Sequence, residues 1–158
     1  MSRNIVIVAL VWLVLAGGLF YLMEGLLNPN KIGVLGENRI VELQRGLDGH
    51  YRAQAFINGT QVDVLVDTGA TGVAISQRLA NKLGLQSHNA IRTSTANGDS
   101  IGYETRLASV KLGGVDARDV AATIAPGLHG DVLLGMSFLS RMDVRLYKGT
   151  MTIKQMEE

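Results

Sequence analysis

A stretch of 19 residues without a charged side chain, Ile5 to Met23, limits what this 158-residue chain can fold into. As an α-helix it would span about 28 Å, close to the roughly 30 Å hydrocarbon core of a bilayer. A buried core helix is usually shorter, and a cleaved signal peptide has a shorter apolar region followed by small residues. Of these three structures we favour an uncleaved membrane anchor over residues 5–23.

The charges around this stretch bear on its orientation. Arg3 precedes it and Glu24 follows it, so the positive-inside rule places the N-terminus in the cytoplasm and the rest of the chain on the other side. Lys31 and Arg39 weaken this assignment because they lie close to the far end of the span.

The overall charge and the absence of cysteine exclude several classes of protein. Because Arg3 is the only charged residue before Glu24, the chain from Glu24 onward carries 14 basic and 14 acidic side chains. A balanced chain without a basic cluster argues against nucleic-acid binding. With no cysteine in the sequence, disulfides, thiol catalysis and cysteine-ligated zinc are excluded.

Short segments with alternating apolar residues, separated by turn signals, follow residue 38. Asn58-Gly59 is a strong signal for a two-residue hairpin turn, and Gly113-Gly114 and Lys148-Gly149 are further turn signals. The predicted strands cover residues 40–43, 51–57, 61–66, 90–95, 100–107, 110–112, 115–124, 131–134, 144–146 and 150–154. Many short strands with regular turns indicate an all-β barrel or sandwich.

Two short helices interrupt the strands. The first is predicted at Gln77–Leu83, where Ser76 caps the start and Gly84 suits the end. The second is predicted at Gly135–Arg141.

The uncharged stretch and the strand pattern together predict three segments in the chain. They are an anchor over residues 1–23, a linker over residues 24–38 and a folded domain over residues 39–158.

The predicted strand that ends at Val66 runs directly into Asp67-Thr68-Gly69. All three residue types suit a turn, so this tripeptide alone is compatible with an ordinary strand end. A second apolar run, Val132-Leu133-Leu134, ends in the same way at Gly135, 66 residues after Gly69. The two sites indicate a weak internal repeat.

Together these sites resemble the retropepsin-like aspartic proteases, in which an Asp-Thr-Gly loop and a later apolar-apolar-Gly segment before a helix form half of an active site. Asn58-Gly59, the Ser76–Leu85 segment, Thr95-Ala96-Asn97-Gly98 and Leu133–Leu139 extend the similarity to a bacterial, membrane-anchored subgroup, over roughly residues 39–154. The resemblance implies a retropepsin-like closed β-barrel with one or two short helices. It also implies an aspartic endopeptidase that faces the periplasm from the inner (cytoplasmic) membrane.

Aspartate-based hydrolysis of a peptide bond needs two carboxylates that share a proton around one water. The sequence contains one Asp-Thr-Gly, and the end of the second apolar run carries Leu134 where a second aspartate would stand. The segment from Arg39 onward is too short for the two motifs that pepsin-like chains carry. The resemblance therefore implies a homodimer, in which Asp67 of each subunit supplies half of the catalytic pair for a polypeptide substrate.

The resemblance also implies supporting roles around Asp67. Thr68 would hydrogen-bond across the dimer axis, and Gly69 would let the backbone approach the carboxylates closely. Ala70 stands where many pepsin-like relatives carry a serine that donates to the aspartate, which predicts activity closer to neutral pH. The segment Leu133-Leu134-Gly135 would pack beneath the site.

The segment Thr95-Ala96-Asn97-Gly98 resembles the tip of a flap, a hairpin that folds over substrate and excludes water. An ordinary surface hairpin fits the same residues. His50, His88 and His129 are not clustered in the sequence, so we predict no metal site and no cofactor.

Three functions fit these features. The first is a membrane-anchored, homodimeric aspartic endopeptidase, and the intact Asp67-Thr68-Gly69 favours it because a binding groove needs no acidic pair at its centre. The second is a non-catalytic dimerisation or peptide-binding module of the same fold. The third is a tethered envelope scaffold without a groove.

Overall fold

A computed structural model describes residues 3–27, 39–95 and 98–156 of the chain. In these ranges the helices are α1 (Arg3–Leu27), α2 (Gln77–Lys82) and α3 (Met136–Leu139). The strands are β1 (Ile40–Gln44), β2 (Tyr51–Ile57), β3 (Thr60–Val66), β4 (Val73–Ser76), β5 (Ala90–Thr95), β6 (Gly98–Leu112), β7 (Val115–Ala125), β8 (Val132–Leu134), β9 (Met142–Tyr147) and β10 (Thr150–Gln155).

Helix α1 contains the uncharged stretch. Its section Ile5–Gly25 has 21 residues and a mean hydropathy of 2.7, which is long and apolar enough to cross a membrane, and none of it is buried against the rest of the described chain. The helix continues past Met23 to Leu27, so the first residues predicted to be linker are helical. The nearest strong helix breaker in the sequence is Pro29, which explains this longer helix. The remaining linker residues, 28–38, lie outside the described ranges.

Six strands close into a barrel in the order β2-β3-β8-β4-β7-β6, and β6 pairs back with β2. Strand β5 extends this sheet as the outer partner of β6, while β1, β10 and β9 form a separate three-stranded sheet. The predicted all-β class is confirmed, and of the barrel and the sandwich the barrel is the observed form.

Alternation of apolar and polar side chains positions the strands on the core. In β3, Val62, Val64 and Val66 are buried while Asp63 is exposed, as the two-residue period predicts. The turn at Asn58-Gly59 joins β2 to β3 with positive φ at both residues, the geometry of a tight hairpin.

Two strand assignments differ from the sequence-based prediction. Strand β4 was not predicted, because it has four residues and its partners are distant, with Ile75 paired to both Ile124 and Val132. Residues 98–112 form one strand where two were predicted, because pairing with β7 continues on both sides of Ala108.

The predicted helices are present with shorter bounds. Helix α2 begins after Ser76, whose Oγ accepts the N–H of Leu79 at 3.2 Å, and it is followed by Gly84 at φ +67°. Helix α3 covers Met136–Leu139 rather than the longer range predicted from the sequence.

Candidate active site

The two sites that the sequence suggested as a repeat lie side by side. Strands β3 and β8 are parallel neighbours, with Val66 opposite Leu134. Both strands therefore end at the same edge, where Asp67 follows one and Gly135 follows the other. The backbone N–H of Asp67 donates to the carbonyl oxygen of Leu134 at 3.0 Å, so the hydrogen bonds between β3 and β8 continue as far as Asp67.

The loop after β3 holds the Asp67 carboxylate against its own backbone. The Asp67 Oδ1 accepts the N–H of Gly69 at 2.8 Å, and the N–H of Ala70 donates to the Asp67 carbonyl oxygen at 3.3 Å. A Cβ on residue 69 would lie 3.2 Å from the same Oδ1, which is a tight contact. The Asp67 side chain is half-buried, while Thr68 and Gly69 are exposed at the surface.

Gly135 packs closely against the backbone of the Asp67 loop. A Cβ at residue 135 would come within 2.2 Å of the carbonyl oxygen of Gly72 and within 2.6 Å of that of Ala70, so no larger residue fits without moving the backbone. Leu134 is buried in the core and Leu133 is half-buried. Gly135 thus packs against the backbone of the Asp67 loop, while Leu133 and Leu134 lie on β8, the strand beside β3.

Ser137 also connects to this region, and its contacts were not predicted from the sequence. Its Oγ donates to the carbonyl oxygen of Ala121 at 2.8 Å and accepts the N–H of Val73 at 2.9 Å. One hydroxyl therefore joins α3 to β7 and to the strand that follows the Asp67 loop. Its partners are distant in sequence, so no local pattern identifies this contact.

A cavity of about 570 Å³ opens beside the loop. Four parts of the chain contribute lining residues, which include Thr71 of the loop, Ile91 of β5, Arg106 of β6 and Ser137 of α3. Asp67 does not line this cavity, which begins a few residues further along the loop. The arrangement offers an open trough between the loop and the β5–β6 hairpin.

The segment predicted to form the flap belongs to the hairpin of β5 and β6. Thr95 and Gly98 form the last pair of the ladder, and Gly98 has φ +104°. Ala96 and Asn97, predicted at the tip, lie outside the described residues. Ile101, which pairs with Arg92, is 62% exposed. A Cβ on the next residue, Gly102, would lie 2.4 Å from the Thr123 Cγ2, so the hairpin passes close to β7 there.

An ion pair stands at the rim of the cavity. The Arg106 Nη2 donates to the Asp119 Oδ2 at 2.6 Å and to the Asp119 carbonyl oxygen at 3.0 Å. The hydrogen bond from Arg106 lowers the pKa of Asp119 below its ordinary value, and Asp119 raises the pKa of Arg106. In the part of the chain that the structure describes, no group of three or more His, Asp or Glu side chains is placed to hold a metal ion.

The chain matches one protein family model and two curated bacterial proteins. Residues 53–141 match the family model described as "gag-polyprotein putative aspartyl protease". An uncharacterised Sinorhizobium protein from the cobV 5′ region is 34% identical over 131 residues, which cover 78% of this chain and 55% of that protein. An uncharacterised Rickettsia prowazekii protein is 32% identical over 102 residues, 63% of this chain and 44% of its own length. The chain thus spans about half the length of these curated relatives.

A solved structure matches the fold. The crystal structure of a retropepsin-like aspartic protease from Rickettsia conorii superposes with a TM-score of 0.65 and 29% sequence identity. The superposition covers 73% of this chain and 90% of the Rickettsia chain.

Proposed function

Because this chain belongs to the retropepsin-like aspartic protease family, we propose that it is an aspartic endopeptidase whose active site combines Asp67 from two subunits. The observation that carries the proposal is the placement of Asp67. It stands at the end of a buried strand, on a surface loop in which the backbone N–H of Gly69 donates to its carboxylate. One chain supplies one such aspartate, so a homodimer completes the pair.

The chemistry requires the two carboxylates to hold different protonation states. Close carboxylates share one proton, because both cannot carry a charge at short distance. The charged carboxylate removes a proton from a water, whose oxygen attacks the scissile carbonyl carbon, while the protonated carboxyl donates to the carbonyl oxygen. As the tetrahedral intermediate collapses and its C–N bond breaks, the carboxyl that took the water's proton gives it to the leaving amine nitrogen. The other carboxylate regains its proton from a hydroxyl of the intermediate, which restores the singly protonated pair.

The loop supports this chemistry by limiting movement of the carboxylate. The bond from the Gly69 N–H fixes the Asp67 Oδ1, and the carbonyl oxygens of Ala70 and Gly72 pack on Gly135. A carboxylate held in this way needs little reorganisation when charge develops. Thr68, exposed on the same loop, is proposed to hydrogen-bond across the two-fold axis.

The proposed substrate is an extended polypeptide. The trough beside the loop is open, and the β5–β6 hairpin carries the exposed Ile101. We propose that this hairpin, with Thr95, Ala96, Asn97 and Gly98 at its tip, closes over the bound chain as a flap. Closure would exclude water from the reacting atoms.

The proposed location is the inner membrane, with the protease domain in the periplasm. The section Ile5–Gly25 would span the bilayer, and Arg3 on its N-terminal side favours a cytoplasmic N-terminus. An anchor confines the domains to a plane and raises their effective concentration, which favours pairing of weakly associating domains.

The test of this proposal is cleavage by the purified full-length protein. A general protein substrate such as casein is incubated with the wild-type chain, with Asp67→Asn and with Asp63→Asn, and a pepstatin-type inhibitor serves as a further control. Asp63 is a matched control because it is an exposed aspartate on β3, the strand that leads into Asp67. We expect Asp67→Asn to lower kcat/KM by about 100-fold or more and Asp63→Asn to leave it unchanged. Cleavage by Asp67→Asn at the wild-type rate would reject the catalytic assignment.

A further inference from the structure

The loop between β1 and β2 ends beside the loop that carries Asp67. Tyr51, the first residue of β2, pairs with Val66, the last residue of β3. When this antiparallel register is continued by one residue on each strand, His50 lies opposite Asp67. The fold therefore brings a histidine to the end of the strand that leads into the proposed catalytic aspartate.

The side chains of His50 and Asp67 share the face of the two strands that points away from the core. Val66 is buried and its partner Tyr51 packs against the core. Successive side chains of a strand point to opposite faces, so the residue before Tyr51 and the residue after Val66 both point outward. In agreement with this alternation, His50 is exposed and Asp67 is half-buried. Opposed residues of an antiparallel pair have Cβ atoms about 5 Å apart, which is close enough for their charges to interact.

Hydrogen bonds fix the backbone of His50 on both sides. Its N–H donates to the Asp48 Oδ1 at 3.1 Å, and its carbonyl oxygen accepts the N–H of Gly46 at 2.8 Å. Gly49, just before it, has φ +84°, and the N–H of Gly49 donates to the carbonyl oxygen of Gly46 at 2.9 Å. In the ranges that the structure describes, the imidazole of His50 makes no hydrogen bond. The loop thus holds the backbone in place and leaves the ring available to a neighbouring group.

The carboxylate nearest to His50 in the sequence, Asp48, is already bonded to other donors. The Arg52 Nε and Nη2 donate to its Oδ2 at 3.0 and 2.9 Å, and its Oδ1 accepts the His50 N–H. The hydrogen bond from the His50 backbone, followed by that from Arg52, lowers the pKa of Asp48 below its ordinary value. Asp48 therefore stays charged and ion-paired throughout the pH range in which an imidazole titrates.

Asp67 lacks an ion-pair partner of this kind. Its Oδ1 accepts the N–H of Gly69, and within the described part of the chain no basic side chain forms an ion pair with it. Ala70, on the same loop, has no hydroxyl to donate to the carboxylate. The protonated imidazole of His50 is thus the cation whose position suits the charge of Asp67.

We propose that His50 is a positioning residue for the proposed catalytic pair, and that its protonated imidazole favours the charged form of Asp67. This inference rests on the proposed function, since it concerns the same carboxylates. An imidazole carries its proton in mildly acidic solution, and a nearby cation stabilises the charge of a carboxylate. The singly protonated pair then persists to lower pH than it would without the histidine.

The other charged groups near His50 leave the direction of this effect unchanged. The ionisable residues of its loop, of the paired strands and of the adjoining turn are Arg45, Asp48, Arg52, Asp67 and Lys148. The turn adjoins the loop because the carbonyl oxygen of Gly149 accepts the N–H of Arg45 at 2.8 Å. Arginine and lysine stay protonated in acidic and neutral solution, and Asp48 stays ionised above its lowered pKa.

The pH profile of kcat/KM tests the role of His50. Casein cleavage by the full-length protein is measured from about pH 3 to pH 8 for wild type, His50→Gln, His50→Lys and His129→Gln. We expect the acid limb of His50→Gln to move to higher pH by about half a unit, which lowers kcat/KM about threefold on that limb. His50→Lys keeps a positive charge and should keep the wild-type acid limb. His129→Gln is the control, since His129 is exposed and precedes β8 at the end away from Gly135.

A wild-type acid limb in His50→Gln would overturn the proposal. The same displacement in His50→Lys as in His50→Gln would also overturn it, because the lysine restores the charge. A purely structural role would lower kcat/KM equally at every pH and leave the limb in place, which again contradicts the electrostatic effect.

Titration of the histidines by NMR gives a readout that needs no catalysis. The sequence contains three histidines, so His88 and His129 are internal controls, and the spectrum of His50→Gln assigns the His50 resonance. The full-length protein is titrated in detergent micelles, as wild type and as Asp67→Asn. A negative charge at Asp67 stabilises the protonated imidazole, so Asp67→Asn should lower the midpoint of the His50 titration by about half a pH unit. The midpoints of the other two histidines should not move.

The two measurements separate this inference from the proposed function. If Asp67→Asn abolishes cleavage while neither the His50 midpoint nor the acid limb of His50→Gln moves, the role of His50 is wrong and the proposed function stands. If Asp67→Asn lowers the His50 midpoint but still cleaves casein, the coupling of the two residues is supported and the proposed function fails.

Discussion

The backbone N–H of Met136 donates to the carbonyl oxygen of Ala70 at 2.8 Å, which joins the start of α3 to the loop that carries Asp67. The two residues are 66 positions apart in the sequence. The loop is therefore fixed by the second apolar-to-glycine segment as well as by its own strand. Gly135, immediately before Met136, makes this approach possible because it has no side chain.

Gly135→Ala should damage both stability and activity. The added Cβ would meet the carbonyl oxygens of Gly72 and Ala70, and these backbone atoms cannot move without moving the Asp67 loop. We expect a loss of about 3 kcal/mol in the free energy of unfolding, the upper range for forced overpacking. Urea unfolding measures it, with Gly127→Ala as the control, since a Cβ at 127 meets nothing within 4 Å. A variant as stable as wild type would contradict the close approach.

Ser137→Ala tests the link between α3, β4 and β7. Removing Oγ leaves the N–H of the buried Val73 without the acceptor it has in the structure. Such a loss costs about 1–3 kcal/mol in the free energy of unfolding. Ser140→Ala, at an exposed serine just after α3, is the control and should change little. Equal effects of the two substitutions would show that the Ser137 contacts do not stabilise the fold.

The sequence predicted those parts of the fold that depend on local patterns. Alternation and turn dipeptides located most strands, because the glycines at 59, 113 and 149 adopt the positive φ that such turns need. Strand β4 was not predicted because its partner strands lie about 50 or more residues away in the sequence. The contacts of Ser137 were not predicted because its partners lie 16 and 64 residues away. The placement of Gly135 under the Asp67 loop was suggested by the repeated motif, but its close contact with Gly72 required the three-dimensional structure.

Ala70→Ser should move the pH profile of kcat/KM towards acid. A hydroxyl at this position can donate to the catalytic carboxylate and favour its charged form, so the singly protonated pair would persist to lower pH. Ala108→Ser, at an exposed position on β6, is the matched control and should keep the wild-type profile. An alkaline shift for Ala70→Ser, or no shift, would contradict this account of position 70.

The ion pair between Arg106 and Asp119 should make stability depend on acid pH. The pKa of Asp119 in the folded protein lies below the ordinary 3.8, so the pair contributes stability above that value and loses it as the pH falls through the lowered pKa. The difference in Tm between wild type and Asp119→Asn should therefore shrink as the pH is lowered from about 5 to about 2. It should also shrink in about 1 M salt, because both side chains are exposed. A Tm difference that stays the same at every pH and salt concentration would show that the ion pair does not contribute to the stability of the fold.

The central claim is that one active site needs Asp67 from two chains, and co-expression of wild-type and Asp67→Asn chains measures this most directly. The full-length proteins are produced together at known ratios, and cleavage of casein is measured per total chain. If both aspartates are required, activity follows the square of the wild-type fraction, so equal amounts give about one quarter of the wild-type activity. If each chain acts alone, activity falls in proportion to the wild-type fraction, and about one half at equal amounts would contradict the shared site.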